Sequence, residues 1–268
     1  MRFKLTLDLI GQERFLPINY QYEFSSWIYK TIHFGDPEFA KWLHNFGYMD
    51  GYKQFKLFTF SRLYPEKYKV SGDRLELQTN RVLQYISFYA NEAVEPFIIG
   101  LFKNQEFSLG DQISKVHFRV NNIEKLAEPD WRPSLNIRAE TPIVISVKET
   151  ETSKFGTYLS PEDSRFGDLV LKNLTTKYLA LMTQQTKASQ QITFGNSSEM
   201  NFSLIGKPKS KLVKIKAGTP NETLLKGYIF DFSITAPVEI IRLGYYGGFG
   251  EKNSLGFGYG ELESRVRF

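Results

Sequence analysis

Gly244-Tyr245-Tyr246-Gly247-Gly248-Phe249-Gly250-Glu251-Lys252-Asn253-Ser254-Leu255-Gly256-Phe257-Gly258-Tyr259-Gly260 holds seven glycines in seventeen residues. The chain has 20 glycines in 268 residues, so composition alone gives about one in such a window. Glycine gathers where backbone takes φ > 0 or comes very close to another group. With Lys252, Asn253 and Ser254 among the glycines, the stretch reads as amide and side-chain donors facing an anion. Its neighbours decide which anion. A dinucleotide or ATP loop follows a strand and opens a helix. Here Ile240, Ile241 and Leu243 form a helix before the glycines, and a strand is expected after Gly256. The G-x-G-x-x-G spacing and the Gly-Lys-Ser/Thr run are both missing. A nucleotide cofactor is therefore disfavoured, and a nucleic-acid backbone fits better.

Working outward, the chain reads as an α+β protein. Phe3, Leu5, Leu7 and Leu9 alternate with Arg2, Lys4, Thr6 and Asp8, which predicts a half-buried strand. Phe24, Trp27, Ile28, Thr31 and Ile32 recur at helical spacing within 20–33. Asp36 as N-cap, Pro37 at the first helical position and Gly47 past the end predict a second, shorter helix. Its apolar face is Phe39, Trp42, Leu43 and Phe46. Strands are expected near 55–61 and 73–78. A helix is expected through Val82, Leu83, Ile86, Ala90, Ala93 and Phe97, kinked or split at Pro96, and then a strand near 112–120. Residues 121–135, with two prolines and several charges, read as a linker. The plan then repeats: a strand at about 136–148, a helix at 161–184 signalled by Ser160, Pro161 and Asp163, and strands near 199–216 and 223–234. A short helix opened by Pro237 and Glu239 and a strand at 257–267 close it. The order βαββαβ, twice, predicts tandem ferredoxin-like (RRM-like) domains over 1–122 and 136–268.

Composition excludes several functions. There is no cysteine, hence no disulfide or thiolate metal site, and a reducing cytoplasm is expected. The histidines His33, His44 and His117 have no metal-ligand spacing, so no metal or other cofactor is expected. No signal peptide is read at the start, and no apolar run approaches the ~20 residues of a membrane helix. The net charge of +5 and the 15% aromatic content suit a partner that is anionic and stacks.

Gly248-Phe249-Gly250-Glu251-Lys252-Asn253-Ser254-Leu255-Gly256-Phe257-Gly258 closely resembles the C-terminal motif of the CRISPR-associated endoribonucleases that cut repeat RNA, members of the RAMP superfamily. Lys207-Pro208-Lys209, followed by Ile215-Lys216 and Gly218, resembles that family's basic hairpin. Thr141-Pro142-Ile143, Ile28-Tyr29, Leu43-His44 and Lys56-Leu57-Phe58-Thr59-Phe60-Ser61 resemble other family segments, in the same order. The resemblance implies tandem ferredoxin-like domains, which the element order gives independently. It also implies cleavage of CRISPR repeat RNA (pre-crRNA) without a metal, by 2′-hydroxyl attack, leaving a 2′,3′-cyclic phosphate and a 5′-hydroxyl. A non-catalytic RNA-binding RAMP subunit of a CRISPR interference complex is the alternative with the same fold. Both a monomer and a homodimer remain open.

Such a cleavage needs a group to take the 2′-OH proton, one to protonate the leaving 5′-oxygen, and one to stabilise charge on the phosphate. His44 lies in the last turn of its helix, about 100° round from Leu43, where the carbonyl end favours an imidazolium. Alone it reads equally as a helix-end cation; the resemblance makes it the general acid or base. Tyr29, at the edge of the first helix's stripe, would orient the 2′-OH or the phosphate. Lys56 would stabilise the transition state. The stretch between His44 and Lys56 is longer than the family pattern and contains Lys53, the rival for that role. His33 and His117 are weaker candidates.

Lys207, Lys209, Lys211, Lys214 and Lys216 put five ammonium groups in ten residues. A lysine-protected edge strand accounts for them alone; the resemblance makes them an RNA-backbone track, with a bulge near Leu212-Val213 needed to gather them on one face. Gly248, Gly250, Lys252, Asn253, Ser254, Gly256 and Gly258 would complete the RNA grip.

Overall fold

The computed structural model describes residues 1–148, 156–186 and 200–263. The first half builds a sheet from β1 (Arg2–Ile10), β2 (Phe58–Phe60), β3 (Arg81–Phe88), β4 (Glu106–Gly110) and β5 (Lys115–Lys125). Their spatial order is β4-β5-β1-β3-β2, antiparallel throughout. Between β1 and β2 run the helices α1 (Gln21–Gly35) and α2 (Pro37–Asn45); α3 (Val94–Lys103) follows β3. The second half has β6 (Ser134–Ala139), α4 (Phe166–Thr186), β7 (Asn201–Ile215), β8 (Thr223–Thr235), α5 (Val238–Gly247) and β9 (Gly260–Leu262), with sheet order β7-β8-β6-β9. Set aside the extra edge strand β4, and both sheets follow the ferredoxin-like order, with each unit's first strand between its third and fourth. The α+β tandem ferredoxin-like expectation is met.

The patterns that decided it behave as physics requires. Phe3, Leu5, Leu7 and Leu9 are all buried in the core. Of the α1 stripe, Phe24 meets Phe60 at a tilt and Trp27 stacks on Phe107, with centroids 4.9 and 4.1 Å apart. Each such fully buried side chain contributes about 1.5–3 kcal/mol by transfer from water. Asp36 caps α2 as expected, its Oδ1 accepting from Phe39 N at 2.9 Å.

Several expectations change. The helix expected through residues 82–97 is two elements: β3, then a 3-10 turn at Asn91–Ala93 leading into α3. The inward positions of β3 are Val82, Gln84, Ile86 and Phe88. Gln84 breaks the apolar alternation, and Val82-Leu83-Ile86 mimics a helix face. Gln84 is tolerated inside because its Nε2 donates to Ser61 O at 2.7 Å. Pro96 causes no kink, since it falls in the first turn of α3, where its missing N–H has no partner to lose. The 73–78 strand exists as Arg74–Leu77 but joins Phe15–Pro17 and Tyr68–Ser71 in a separate small sheet. β5 runs through residue 125, so the linker is shorter than 121–135. The strand expected at 136–148 is broken after Ala139 and resumes at Ser146–Val147. Helix α4 starts at Phe166, after a turn held by Asp163. The β7 bulge lies at Gly206–Pro208, where pairing steps from Ile205↔Asp231 to Lys209↔Ile229, rather than at Leu212-Val213. Residues 264–267 of the expected last strand, and 199 at the start of the expected 199–216 strand, lie outside the described residues.

The two sheets share a continuous core. Arg2 bolts them together: it is 2% exposed, donates to Tyr245 O (2.6 Å) and Gly260 O (3.0 Å), and pairs with Glu261 at 3.0 Å. Its guanidinium also lies 3.5 Å from the Tyr245 ring centroid and 4.1 Å from that of Tyr259.

Candidate RNA-cleavage site

Three separated stretches meet beside the middle of α1. Tyr29 stands half-buried at the edge of the α1 stripe. Its ring meets that of His44 edge-on, with centroids 5.3 Å apart and planes at 81°, and that of Phe58 at 5.5 Å. His44 is exposed in the last turn of α2, with Nδ1 3.0 Å from Asn45 Oδ1. Lys56 follows the hairpin Tyr48–Asp50/Lys53–Phe55 and turns back onto α2. Its Nζ donates to His44 O at 2.8 Å and Phe46 O at 3.2 Å. Partial burial pulls the Lys56 ammonium down to about 8. Lys53 is exposed near the tip of that hairpin. Of the two lysines, Lys56 is the one brought to the histidine.

Burial pushes the Tyr29 phenol up to about 12, and a hydrogen bond with the Ser254 side chain works against the shift. The group is a hydrogen-bond donor at neutral pH, not a base. Ser254 belongs to the glycine-rich loop, which crosses from the second sheet to the first. There, Phe257 O accepts from Thr59 Oγ1 of β2 at 3.0 Å.

The loop is built inward. Gly256 has φ +81° and Gly258 +71°, in the left-handed region. A Cβ at Gly256 would come within 2.4 Å of the Phe60 ring, and one at Gly258 within 1.9 Å of Phe249 O. Gly248, Gly250, Gly256 and Gly258 are buried, and Asn253 is 8% exposed. Asn253 Nδ2 donates to Phe249 O (3.1 Å) and Phe257 O (3.0 Å), and its Oδ1 accepts from Lys177 Nζ at 2.7 Å. Lys252 is exposed and Ser254 half-exposed. Of the loop residues expected at RNA, these two face outward, while the glycines and Asn253 shape the loop from within.

Lys207, Lys209, Lys211 and Lys214 are exposed along β7. Lys214 is already paired with Glu222 at 3.0 Å. Lys216, at the hairpin turn, has φ +52° and places its Nζ 5.5 Å from the Tyr22 ring centroid on α1, so the basic hairpin reaches the first half. Below it a cavity of about 340 Å³ opens between the halves, lined by Tyr20, Arg62, Glu140, Lys211 and Leu212 among others. His33 and His117 are not brought to this site by any ring contact or hydrogen bond among the described residues; His117 Nδ1 is instead 2.7 Å from Ser108 Oγ.

Sequence reasoning missed Lys177 and Glu251. Glu251 accepts from Ser146 N at 2.9 Å and from Ser146 Oγ, fastening the loop to the segment after β6. Lys177 had a signal: it sits in the buried α4 stripe with Val170, Leu174 and Leu181, where an apolar residue is expected. Among the described residues no cluster of three or more His, Asp or Glu is placed to hold a metal. No helix among them is long and apolar enough to cross a membrane.

Comparison with known proteins identifies the family. Residues 15–124 match the model of the CRISPR-associated protein Cas6 N-terminal region, and 126–262 that of the Cas6 C-terminal region. The CRISPR-associated endoribonuclease Cas6 1 of Methanocaldococcus jannaschii is 31% identical over 246 residues, 91% of this chain and 85% of its own. The CRISPR-associated endoribonuclease Cas6 of Pyrococcus furiosus is 29% identical over 272 residues, 98% and 90% of the two chains. Among solved structures, a Cas6-related protein from P. furiosus superimposes with a TM-score of 0.80 at 25% identity, covering 99% of each chain. A RAMP protein described as binding different RNA substrates gives 0.78 at 25% identity, covering 98% of this chain and 99% of its own. By its sequence, its fold and its glycine-rich loop, the chain belongs to the Cas6 family of CRISPR-associated, RAMP-fold proteins.

Proposed function

We propose that this chain is a metal-independent endoribonuclease that cuts CRISPR repeat RNA into mature crRNA. The observation that carries the reading is the convergence of Tyr29, His44, Lys56 and Ser254 from four stretches of the chain. In the reaction the 2′-oxygen forms a bond to phosphorus and the P–O5′ bond breaks. One proton leaves the 2′-oxygen and one reaches the 5′-oxygen. The proton from the 2′-oxygen passes to solvent water, and His44, exposed in the last turn of α2, acts as the acid that gives one to the 5′-oxygen. Tyr29 holds its proton and donates a hydrogen bond that orients the 2′-OH or a phosphate oxygen. The Lys56 ammonium has three N–H groups, two of them on the carbonyls of His44 and Phe46. The third is left for the oxygens of the pentacoordinate phosphorus. Lys252 and the β7 lysines position the RNA backbone; they cannot read its sequence.

The second reading, a non-catalytic RNA-binding subunit of an interference complex, is favoured by one fact. Lys56 already caps the carbonyl end of α2 and so has a structural reason to exist. Incubation in EDTA with the cognate repeat RNA, and with the same RNA carrying a 2′-deoxy at the cut site, separates them. The enzyme cuts the first and leaves the second whole. Tight binding with both RNAs intact would leave the binding subunit.

A further inference from the structure

Lys177 is 2% exposed, a charged side chain in the apolar stripe of α4. Its Nζ donates to Gly248 O, Gly250 O and Asn253 Oδ1, each at 2.7 Å. An ammonium has three N–H donors, and here all three meet acceptors. A neutral amine would turn its lone pair on one of them. Asn253 cannot offer its NH₂ instead, because that group is bonded to Phe249 O and Phe257 O. Gly248 is also the C-cap of α5, where a positive charge is favoured. Burial pushes the group down to about 7, with Glu251 pulling it back. The three acceptors nonetheless fit the charged form alone.

From Lys177 a chain of bonds leads to the site. Asn253 bridges to Phe257 O, which accepts from Thr59 of β2, and the residue after Asn253 is Ser254, on Tyr29. We propose that Lys177 is a positioning residue of the cleft: its charge holds the glycine-rich loop in the one shape that sets Ser254 against Tyr29. This rests on the reading of Tyr29 as part of an RNA-cutting site. Lys177 itself touches no RNA.

The chain lacks cysteine, so Lys177→Cys carries a single thiol. Alkylated in denaturant with 2-bromoethylamine and refolded, it regains an ammonium at lysine length; with 1-iodopropane it gains a neutral isostere. Single-turnover cutting of saturating repeat RNA in EDTA should be within about threefold of wild type for the first and about 10–10²-fold slower for the second, the scale of a small misplacement. Affinity for the 2′-deoxy repeat RNA should differ little between them. Amide hydrogen exchange at Leu255 and Gly256 should be faster in the neutral form. Equal cutting by the two forms, or equal exchange in the loop, overturns the proposal. Lys177→Arg against Lys177→Met makes the same comparison without refolding, with the same order expected. If the wild type leaves the RNA whole, the RNA-cutting reading fails, and the exchange data still decide whether the charge holds the loop.

Discussion

The two sides of the site are built in opposite ways. On the first-sheet side, His44 is exposed at a helix end, with a neighbouring asparagine and the Tyr29 ring for company. On the second-sheet side, the glycine-rich loop is almost entirely interior, its polar groups bonded to one another and to Lys177. The conspicuous motif is therefore mostly architecture, and the proposed reactive groups belong to inconspicuous single residues. A motif can mark a family reliably because its packing tolerates so little change. The same intolerance says nothing about which atoms touch substrate.

That contrast predicts different outcomes on the two sides. His44→Ala should slow cleavage by about 10²–10⁴ while stability in urea stays within about 0.5 kcal/mol, as for most exposed positions. A parallel loss of folding and cutting would make His44 a structural residue and erase the difference between the sides. Gly256→Ala and Gly258→Ala should do the reverse. Each adds a Cβ closer than van der Waals contact, 2.4 Å from Phe60 and 1.9 Å from Phe249 O. Overpacking costs about 1–3 kcal/mol, and a left-handed conformation with a side chain about 1–2 kcal/mol more. The urea midpoint should fall at both positions, with cutting lost only as the loop is lost. Wild-type stability in Gly258→Ala would mean the loop is not buried as described.

How far the sequence carries is visible in the same elements. Both ferredoxin-like units were legible because their helices and outer strands have clean periodicities, as in Phe3-Leu5-Leu7-Leu9 and Phe24-Trp27-Ile28-Ile32. β3 was not, because a buried Gln84, its Nε2 bonded to Ser61 O, looks, in sequence, like a polar break in a strand. Tyr29, His44 and Lys56 were marked by resemblance alone, since nothing local says that α1, α2 and the stretch after the hairpin meet. The inward aim of Asn253 was out of reach for another reason. Its partner Lys177 lies 76 residues away, and only the fold sets an ammonium behind the loop.

A smaller effect separates Lys56 from its structural surroundings. Burial lowers its ammonium from 10.5 to about 8. The charged form, the one that stabilises phosphate, is lost as pH rises through that value. Cutting at subsaturating RNA, which reports the free protein, should therefore decline above about pH 8. Lys56→Arg, whose guanidinium stays charged, should remove the decline even if it lowers the rate. Stability runs the other way. The unfolded chain binds the Lys56 proton up to 10.5 and the folded chain only to about 8, so this group's contribution to stability rises with pH across that window. Declining activity beside steady or rising stability marks titration of the site. A decline of both together would mean that the protein simply unfolds, and Lys56 would lose its assigned role.

The β7 hairpin, a third region, tests whether charge outside the site only positions the RNA. Lys209 and Lys211 are exposed on the same face of β7, beyond the Gly206–Pro208 bulge, and Lys214 is already neutralised by Glu222. Each phosphate contact contributes about 0.7–0.9 to the slope of log affinity against log salt. Replacing Lys209 and Lys211 by Ala should flatten that slope by about 1.4–1.8 if each meets one phosphate, whereas Lys214→Ala should change it less because the Lys214 ammonium is already engaged by Glu222. Cutting at saturating RNA should be unchanged in both variants, since the hairpin supplies no group to the reacting atoms. An unchanged slope in the double variant would return these lysines to the role of guarding a sheet edge. A fall in the saturated cutting rate would mean instead that the hairpin, through Lys216 against Tyr22 on α1, helps to set the helix that carries Tyr29.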